Sequence, residues 1–477
     1  MKTARGIILL VLWGSVSLNT FAQSRQQRKT DSVFRLIRYH VQTKDADAIY
    51  AIADARFQRT ITQGNFRDYL FRELFSLGPI KKDSLLSFVN NLTAAYKIQF
   101  DAVTMQLTLS LSDADKLAYF KLEPYKQGAV NKPSLAASSN PLKSATDKIV
   151  DSLARLYIQR SNTVGLSIGI LKNGKVNTYN YGETKIGNAQ LPTSSTLFEI
   201  GSITKTFTAT LLAWYVNEGK LRLTDHITQY LPDSVATNPA LKGVTLTELS
   251  NHTSGLPSLP SNFSAQQDYT DANPYQNYNR QLLFAYLKNC TLNSEPGKKY
   301  AYSNLAVGLL GIILERVSGK PYEQLVSEII CKPLGMKNTI QHLYPMLATR
   351  FTTVYNEDGH QTPAWDFDAL AACGSLISTI NDLMIYARAN MVKTDSKLYK
   401  AFELAHQITY NHEPKVGLGW HIIKVAAVDY YFHNGGTEGS SSFLAYNAEK
   451  GLAVIILSNS GASTDNTGFG ILKRLQN

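Results

Sequence analysis

Ser202-Ile203-Thr204-Lys205 sets a hydroxyl and an amine three residues apart, where an apolar-periodic segment begins. Phe207, Leu211, Leu212, Tyr215 and Val216 follow at helical spacing, and Glu218-Gly219 supplies a stop. Residues one turn apart on a helix project from one side, so the two groups share a face. A serine hydroxyl is a weak nucleophile at neutral pH and needs a base to take its proton. A lysine beside it, desolvated and close to a helix N-terminus, can be that base. By itself the tetrapeptide equally describes a helix cap followed by a solvated lysine, so the rest of the chain must decide.

Two further boxes carry chemistry. Lys299-Tyr300-Ala301-Tyr302-Ser303-Asn304 precedes the helix-like stretch Leu305 to Val317. A Tyr-x-Asn at a loop end can aim a phenol and an amide into one cleft, the first to pass protons and the second to bind a substrate carbonyl. The plainer reading is a turn with a buried tyrosine. His433-Asn434-Gly435-Gly436 closes a strand. There an imidazole can face a cleft while glycines let a substrate backbone approach the strand edge. Its plainer reading is a turn with an edge histidine.

The elements that must hold these boxes together fall into two parts. Residues 24–125 read as a small α+β accessory domain. Helical periodicity over 31–41, 46–55 and 66–77 is followed by three alternating segments near 94–100, 105–111 and 116–122. Residues 126–143 are rich in small and turn-forming types and read as a linker. Residues 144–477 begin with a helix over 145–159 and a hairpin around Asn173-Gly174. They end with strands at 420–427, 430–433, 442–446 and 452–458 and a last helix near 470–475. The middle, from Phe207 to about Ala405, is mainly helix and long loop. The pattern predicts one antiparallel sheet built from both ends of the domain and flanked by helices, with an all-helical lobe between them.

At 477 residues the chain exceeds one ordinary domain. Lys2 and Arg5, the apolar run Ile7 to Trp13 and Thr20-Phe21-Ala22 read as a signal peptide over 1–22, cut before Gln23. Export to the periplasm or the extracellular space follows, with membrane contact only if the leader is retained. The three cysteines, Cys290, Cys331 and Cys373, read as small buried residues with room for one disulfide. The nine histidines are scattered and form no metal box, so neither metal nor cofactor is expected. The formal charge of +11 becomes +9 once the leader leaves, with 46 basic against 37 acidic residues. No basic block is interleaved with aromatics, which argues against nucleic-acid binding.

Ser-x-x-Lys, Tyr-Ser-Asn and His-x-Gly, in this order, resemble the three signature elements of the penicillin-recognising serine hydrolases. The likeness is to the branch holding class C β-lactamases, D-alanyl-D-alanine carboxypeptidases with a His-Thr-Gly box, D-aminopeptidases and related esterases. Leu197-Phe-Glu-Ile-Gly-Ser-Ile-Thr-Lys205, Leu246-Thr-Glu-Leu-Ser-Asn-His-Thr-Ser-Gly-Leu-Pro257, Gly417-Leu-Gly-Trp420 and His433-Asn-Gly-Gly-Thr437 fit the same branch, over about 145–475. The resemblance implies a β-lactamase/transpeptidase-like α+β fold. It makes Ser202 the acylated nucleophile, Lys205 its activating amine and Tyr302 the proton carrier. It puts Asn304 on the carbonyl of an acyl side chain and His433 and Gly435 on the substrate's far wall. The backbone N–H groups of Ser202 and Gly436 would form the oxyanion hole, with Gly436 on a strand after the His-x-Gly turn.

One departure stands out. Where class C enzymes carry Lys-Thr-Gly this chain has His433-Asn434-Gly435, so a fixed cation becomes an imidazole and the middle hydroxyl an amide. Both changes point to a D-amino-acid peptidase or esterase acting through an acyl-enzyme on a small-molecule or peptide substrate, with cell-wall peptide one candidate. β-Lactam hydrolysis and a non-turnover penicillin- or peptide-binding sensor are the alternatives. Glu438 lies near the cleft entrance, and the loop Pro257 to Asn279 is expected to rim the site. The accessory domain loosely resembles those ahead of exported hydrolases and reads as a spacer or a module binding an unknown partner.

Overall fold

The computed structural model describes residues 25–89, 93–125 and 136–476. The signal peptide expected at 1–22 and the linker residues 126–135 lie outside them. The chain divides into two compact units, Met1–Gln127 and Gly128–Asn477.

In the first unit, short helices begin where a side chain caps them: Asp45 ahead of Ala46–Ala51, Asp54 ahead of Ala55–Thr60 and Thr62 ahead of Gln63–Glu73. A four-stranded antiparallel meander follows, in sequential order: Lys82–Val89, Thr93–Gln99, Thr104–Leu111 and Leu117–Pro124. Phe34, Ile37 and Val41 of helix Arg25–Thr43 pack on Tyr96, Ile98, Leu107 and Leu109 of the sheet. Strand Lys82–Val89 was not expected. Its Leu85 and Leu86 stand side by side rather than alternating, because the register shifts between Leu85 and Ser87.

The second unit is built on an eight-stranded antiparallel sheet. From one edge the order is Tyr410–Asn411, Lys415–Val416, His421–Val425, Val428–Gly436, Ser441–Asn447, Leu452–Ser458, Gly165–Lys172 and Lys175–Gly182. The N-terminal hairpin therefore pairs with the last C-terminal strand, as expected, and turns through Asn173 and Gly174, both at positive φ. Ile168, Ile170, Val454 and Ile456 face helices Ala145–Ile158 and Asp465–Leu475. Leu171, Ala453, Ile455 and Leu457 belong to the core on the opposite face, with Ile380, Leu383 and Met384 of helix Ile380–Met391. Both faces are covered, so the central strands are buried along nearly their whole length and mostly apolar.

The helical lobe also contains strand pairs that were not foreseen. Phe198–Glu199 pairs with Ile377–Ser378, and Val354–Tyr355 with Gln361–Thr362. Helix Thr204–Asn217 differs from its expected one-sided burial: every residue from Thr204 to Ala213 is buried. Its threonines read as polar but are satisfied locally. Thr206, Thr208 and Thr210 donate to the carbonyls of Ile203, Thr204 and Thr206, which makes them compatible with a buried helix.

Candidate active site

Ser202 sits on the 3₁₀ turn Gly201–Ile203, two residues ahead of the first residue of the buried helix. That short turn places Ser202 and Lys205 on one side. Lys205 Nζ donates to Ser202 Oγ at 2.9 Å, to Asn304 Oδ1 at 2.7 Å and to the Cys373 carbonyl at 2.7 Å. Tyr302 OH donates to the same Ser202 Oγ at 2.7 Å. Two of the expected side chains thus meet on one oxygen, Ser202 Oγ, and a third, Asn304, holds Lys205 from the same stretch as Tyr302. Asn304 opens helix Asn304–Ser318, capped by Ser303, whose Oγ accepts from the Ala306 N–H and donates to the Pro257 carbonyl. The cap therefore fixes the Tyr302–Asn304 loop against the 257–279 segment. Tyr275 of that segment accepts from Asn304 Nδ2 at 2.9 Å, so the loop does reach the site.

Burial sets the proton balance. Lys205 is 1% exposed, and desolvation lowers its pKa from 10.5 to about 8. Burial pushes the Tyr302 phenol the other way, above its ordinary range, despite its bond to Ser202. Asn304 Oδ1 and the Cys373 carbonyl can only accept hydrogen bonds. The ammonium donates to all three oxygens; in the neutral amine these two acceptors hold both N–H groups and leave the lone pair for the Ser202 hydroxyl.

The far wall is made of histidines. His433 is 1% exposed; its Nδ1–H donates to the Asn434 carbonyl at 2.5 Å, and Nε2 has no protein partner. Its ring lies 6.5 Å from that of Tyr302 and 5.2 Å from that of His421. His421 Nε2 bonds the Tyr300 hydroxyl at 2.8 Å. Behind Tyr302, at 4.4 Å, lies the ring of His252, whose Nδ1 accepts from the Ser303 N–H. Burial lowers the pKa of all three, that of His421 to about 4, and Lys205 adds to the effect.

The third box needs two corrections. His433 to Gly436 do close a strand, Val428–Gly436, but no turn separates the His-x-Gly residues from Gly436, which ends that same strand. Side chains on a strand alternate, so Asn434 points away from His433 and donates to Asp465 Oδ2 at 2.7 Å, at the start of the last helix. The exchange of hydroxyl for amide at that position is therefore no argument about substrate. Gly435 packs against the turn that carries Ser202. A Cβ there would lie 2.1 Å from the Ile200 carbonyl oxygen and 2.8 Å from Ser202 N, so this glycine lets the strand touch the nucleophile turn. Gly436 meets Gly201 in the same way: a Cβ on Gly201 would lie 2.6 Å from Gly436 N.

Sequence reasoning assigned no role to His252, Tyr300, His421, Cys373 or Glu199. Three of them, His252, Tyr300 and Glu199, lie within the quoted motifs, and only their packing shows what they touch. The three cysteines are free and buried, so the disulfide does not form.

A family model described as Beta-lactamase matches residues 150–473. The chain belongs to the β-lactamase family. A β-lactamase of Pseudomonas fluorescens is 29% identical over 356 residues, covering 66% of this chain and 94% of that protein. The D-alanyl-D-alanine-carboxypeptidase/endopeptidase AmpH of Escherichia coli K12 is 30% identical over 288 residues, covering 57% of this chain and 72% of its own. Among solved structures, the β-lactamase/D-alanine carboxypeptidase of Pseudomonas syringae superposes with a TM-score of 0.62 at 25% identity, over 69% of this chain and 99% of that one. This β-lactamase-family chain is a serine hydrolase of the penicillin-recognising type, working through an acyl-enzyme on a small-molecule or peptide substrate. Its first unit lies outside the family match.

Proposed function

We propose that this protein is an exported hydrolase of D-amino-acid peptides, with cell-wall peptide as its class of substrate, or of small esters. The observation that carries the reading is Ser202 Oγ held between Lys205 Nζ and Tyr302 OH, facing a wall where a neutral imidazole takes the place of a cation. Lys205, as the neutral amine, takes the hydroxyl proton while Oγ attacks the carbonyl carbon. The N–H groups of Ser202 and Gly436 receive the developing oxyanion. As the tetrahedral intermediate collapses, the Tyr302 phenol protonates the departing amine or alkoxide, and the Lys205 ammonium, 4.7 Å from the centre of the Tyr302 ring, returns the proton to the phenolate. Water then repeats the sequence on the acyl-enzyme and releases the acid. Two of the relatives named above are carboxypeptidases, one for D-alanyl-D-alanine and one for D-alanine, which supports the peptide reading. Export rests on the leader-like residues 1–22.

Purified protein is expected to be labelled by a fluorescent penicillin and a phosphonate ester, and Ser202→Ala to remain unlabelled. Equal labelling of the two would remove Ser202 as nucleophile. A D-Ala-D-Ala peptide, a short-chain p-nitrophenyl ester and a chromogenic cephalosporin, assayed in parallel, then choose the substrate. Faster turnover of the cephalosporin than of the other two would overturn the preference for peptide or ester. Stable acylation without turnover of any would make the protein a sensor.

A further inference from the structure

The second oxyanion donor and the nucleophile lie on different segments, and these meet through glycine backbone alone. The turn Gly201–Ile203 touches strand Val428–Gly436 where Gly201 faces Gly436 and Gly435 faces Ile200 and Ser202. Contact of this kind brings two N–H groups together but has no side chains interlocking to keep them aimed. A donor displaced by about 1 Å loses much of its value to the transition state. Something beside the glycines has to fix the register.

Glu199 is placed to do so. It is 4% exposed and lies three residues before Ser202. Its Oε2 accepts from Thr437 Oγ1 at 2.8 Å and from Ser440 Oγ at 2.7 Å. Its Oε1 accepts from the Trp365 N–H at 2.6 Å. Thr437 directly follows Gly436, and its N–H bonds the Ser440 carbonyl at 3.0 Å, so both hydroxyls belong to one closed turn at the strand end. A second link parallels the first: Ser442 Oγ donates to the Ile200 carbonyl at 2.8 Å. Among the described residues Glu199 makes no ion pair, and burial raises its pKa against the pull of these three donors. A carboxyl buried without a cation is costly, and the proposed mechanism gives it no proton to carry.

We propose that Glu199 is a positioning residue of the oxyanion hole, its carboxylate tying the turn after Gly436 to the segment that carries Ser202. This rests on the reading of Ser202 as nucleophile and of the Ser202 and Gly436 N–H groups as the hole. The carboxylate acts one residue from one donor and three from the other, and touches no substrate.

The test uses the full chain and a p-nitrophenyl ester, with a boronic acid that places a tetrahedral oxygen in the hole. Glu199→Ala is expected to lower kcat by about 10²-fold with KM changed less than about threefold, and to weaken the boronate by a similar factor. Glu199→Gln should recover most of both. Its amide oxygen can accept from Trp365, and its NH₂ can donate to the Thr437 or Ser440 hydroxyl. Thr437→Val, which leaves Glu199 and its other two partners in place, should cost about tenfold in kcat. Glu199→Ala with kcat and boronate affinity within about threefold of the parent would overturn the proposal, whatever its melting temperature. A glutamine variant as slow as the alanine one would overturn it too, by assigning the effect to charge. Should Glu199→Ala fail to fold, Thr437→Val decides, and parental kcat with parental boronate affinity overturns the proposal. Ser202→Ala runs alongside. Turnover by that variant would sink the nucleophile reading, whereas an inactive Ser202→Ala beside a fully active Glu199→Ala sinks only this inference.

Discussion

The two flanks of Ser202 treat their polar atoms in opposite ways. On the Lys205 flank every donor finds an acceptor: Nζ has Ser202, Asn304 and Cys373, and Asn304 in turn has Tyr275. On the other flank His252 and His433, both buried, and the half-buried His421 each keep one nitrogen without a partner among the described residues: His252 Nε2, His421 Nδ1 and His433 Nε2. The difference separates two tasks. A network with all its bonds made holds one geometry and moves a proton within it; a wall of neutral rings supplies shape and low dielectric, and strengthens the charges that develop opposite.

The largest effect should come from breaking the satisfied flank at its centre. Lys205→Ala is expected to lower kcat by about 10⁴-fold, nearly as far as Ser202→Ala, and the double variant to be no slower than Ser202→Ala. Additive losses in single-turnover acylation would show that the two residues do not act as one unit.

Asn304 tests how that flank sets the amine. Asn304→Ala removes one of the two acceptors that orient Lys205 and should cost about 10²-fold in kcat, more than its expected role on the acyl side chain alone would suggest. With the neutral amine as the proposed base, kcat/KM should rise with pH through about 8, where burial places the Lys205 pKa. In Asn304→Asp a carboxylate beside the ammonium favours the charged form, raises that pKa and moves the ascending limb to higher pH. A limb that stays put, or moves down, would take the role of base from Lys205.

How far these flanks could be read in advance follows from how local their causes are. Ser202 and Lys205 are one turn apart, and Tyr302 and Asn304 two residues apart, so residue order alone exposed them. The sheet was legible because Asn173-Gly174 and the alternating C-terminal runs report short-range backbone preference. The failures share a different cause. Asn434 was misjudged because its box was read as a turn, although strand alternation alone would have turned it from the cleft. The approach of Gly435 to the Ile200 carbonyl went unforeseen because nothing in its own segment announces it. Glu199 was invisible for the same reason: Trp365, Thr437 and Ser440 lie more than 160 residues away. The buried threonines of helix Thr204–Asn217 conceal a core helix behind polar names.

On the histidine flank the expected effects are smaller. His433→Ala should reduce kcat/KM by about tenfold, because it removes shape and low dielectric rather than a group bonded to Oγ. Burial holds His433 and His252 below their usual range and His421 near 4, so no ionisation should mark the pH profile between about 5.5 and 7. A limb near 6.5 in the parent that vanishes in His433→Ala would show an imidazole titrating during turnover, and the two flanks would then share the proton chemistry.

The smallest catalytic effect, and the sharpest test of the contrast, belongs to His252. It holds a left-handed backbone conformation, with φ of 65°, and supports Tyr302 in two ways: its ring lies against the phenol, and its Nδ1 accepts the N–H of the fully buried Ser303. Phenylalanine keeps the first support and removes the second. Ser303 N–H would then be buried without its partner, at a cost of about 1–3 kcal/mol in stability. Tyr302 would still be held by its bond to Ser202 Oγ, so His252→Phe should lower the urea midpoint while kcat falls less than about tenfold. Parental stability with a collapsed kcat would give the imidazole a chemical role. The histidine flank would then have to be redrawn as part of the proton path rather than the wall behind it.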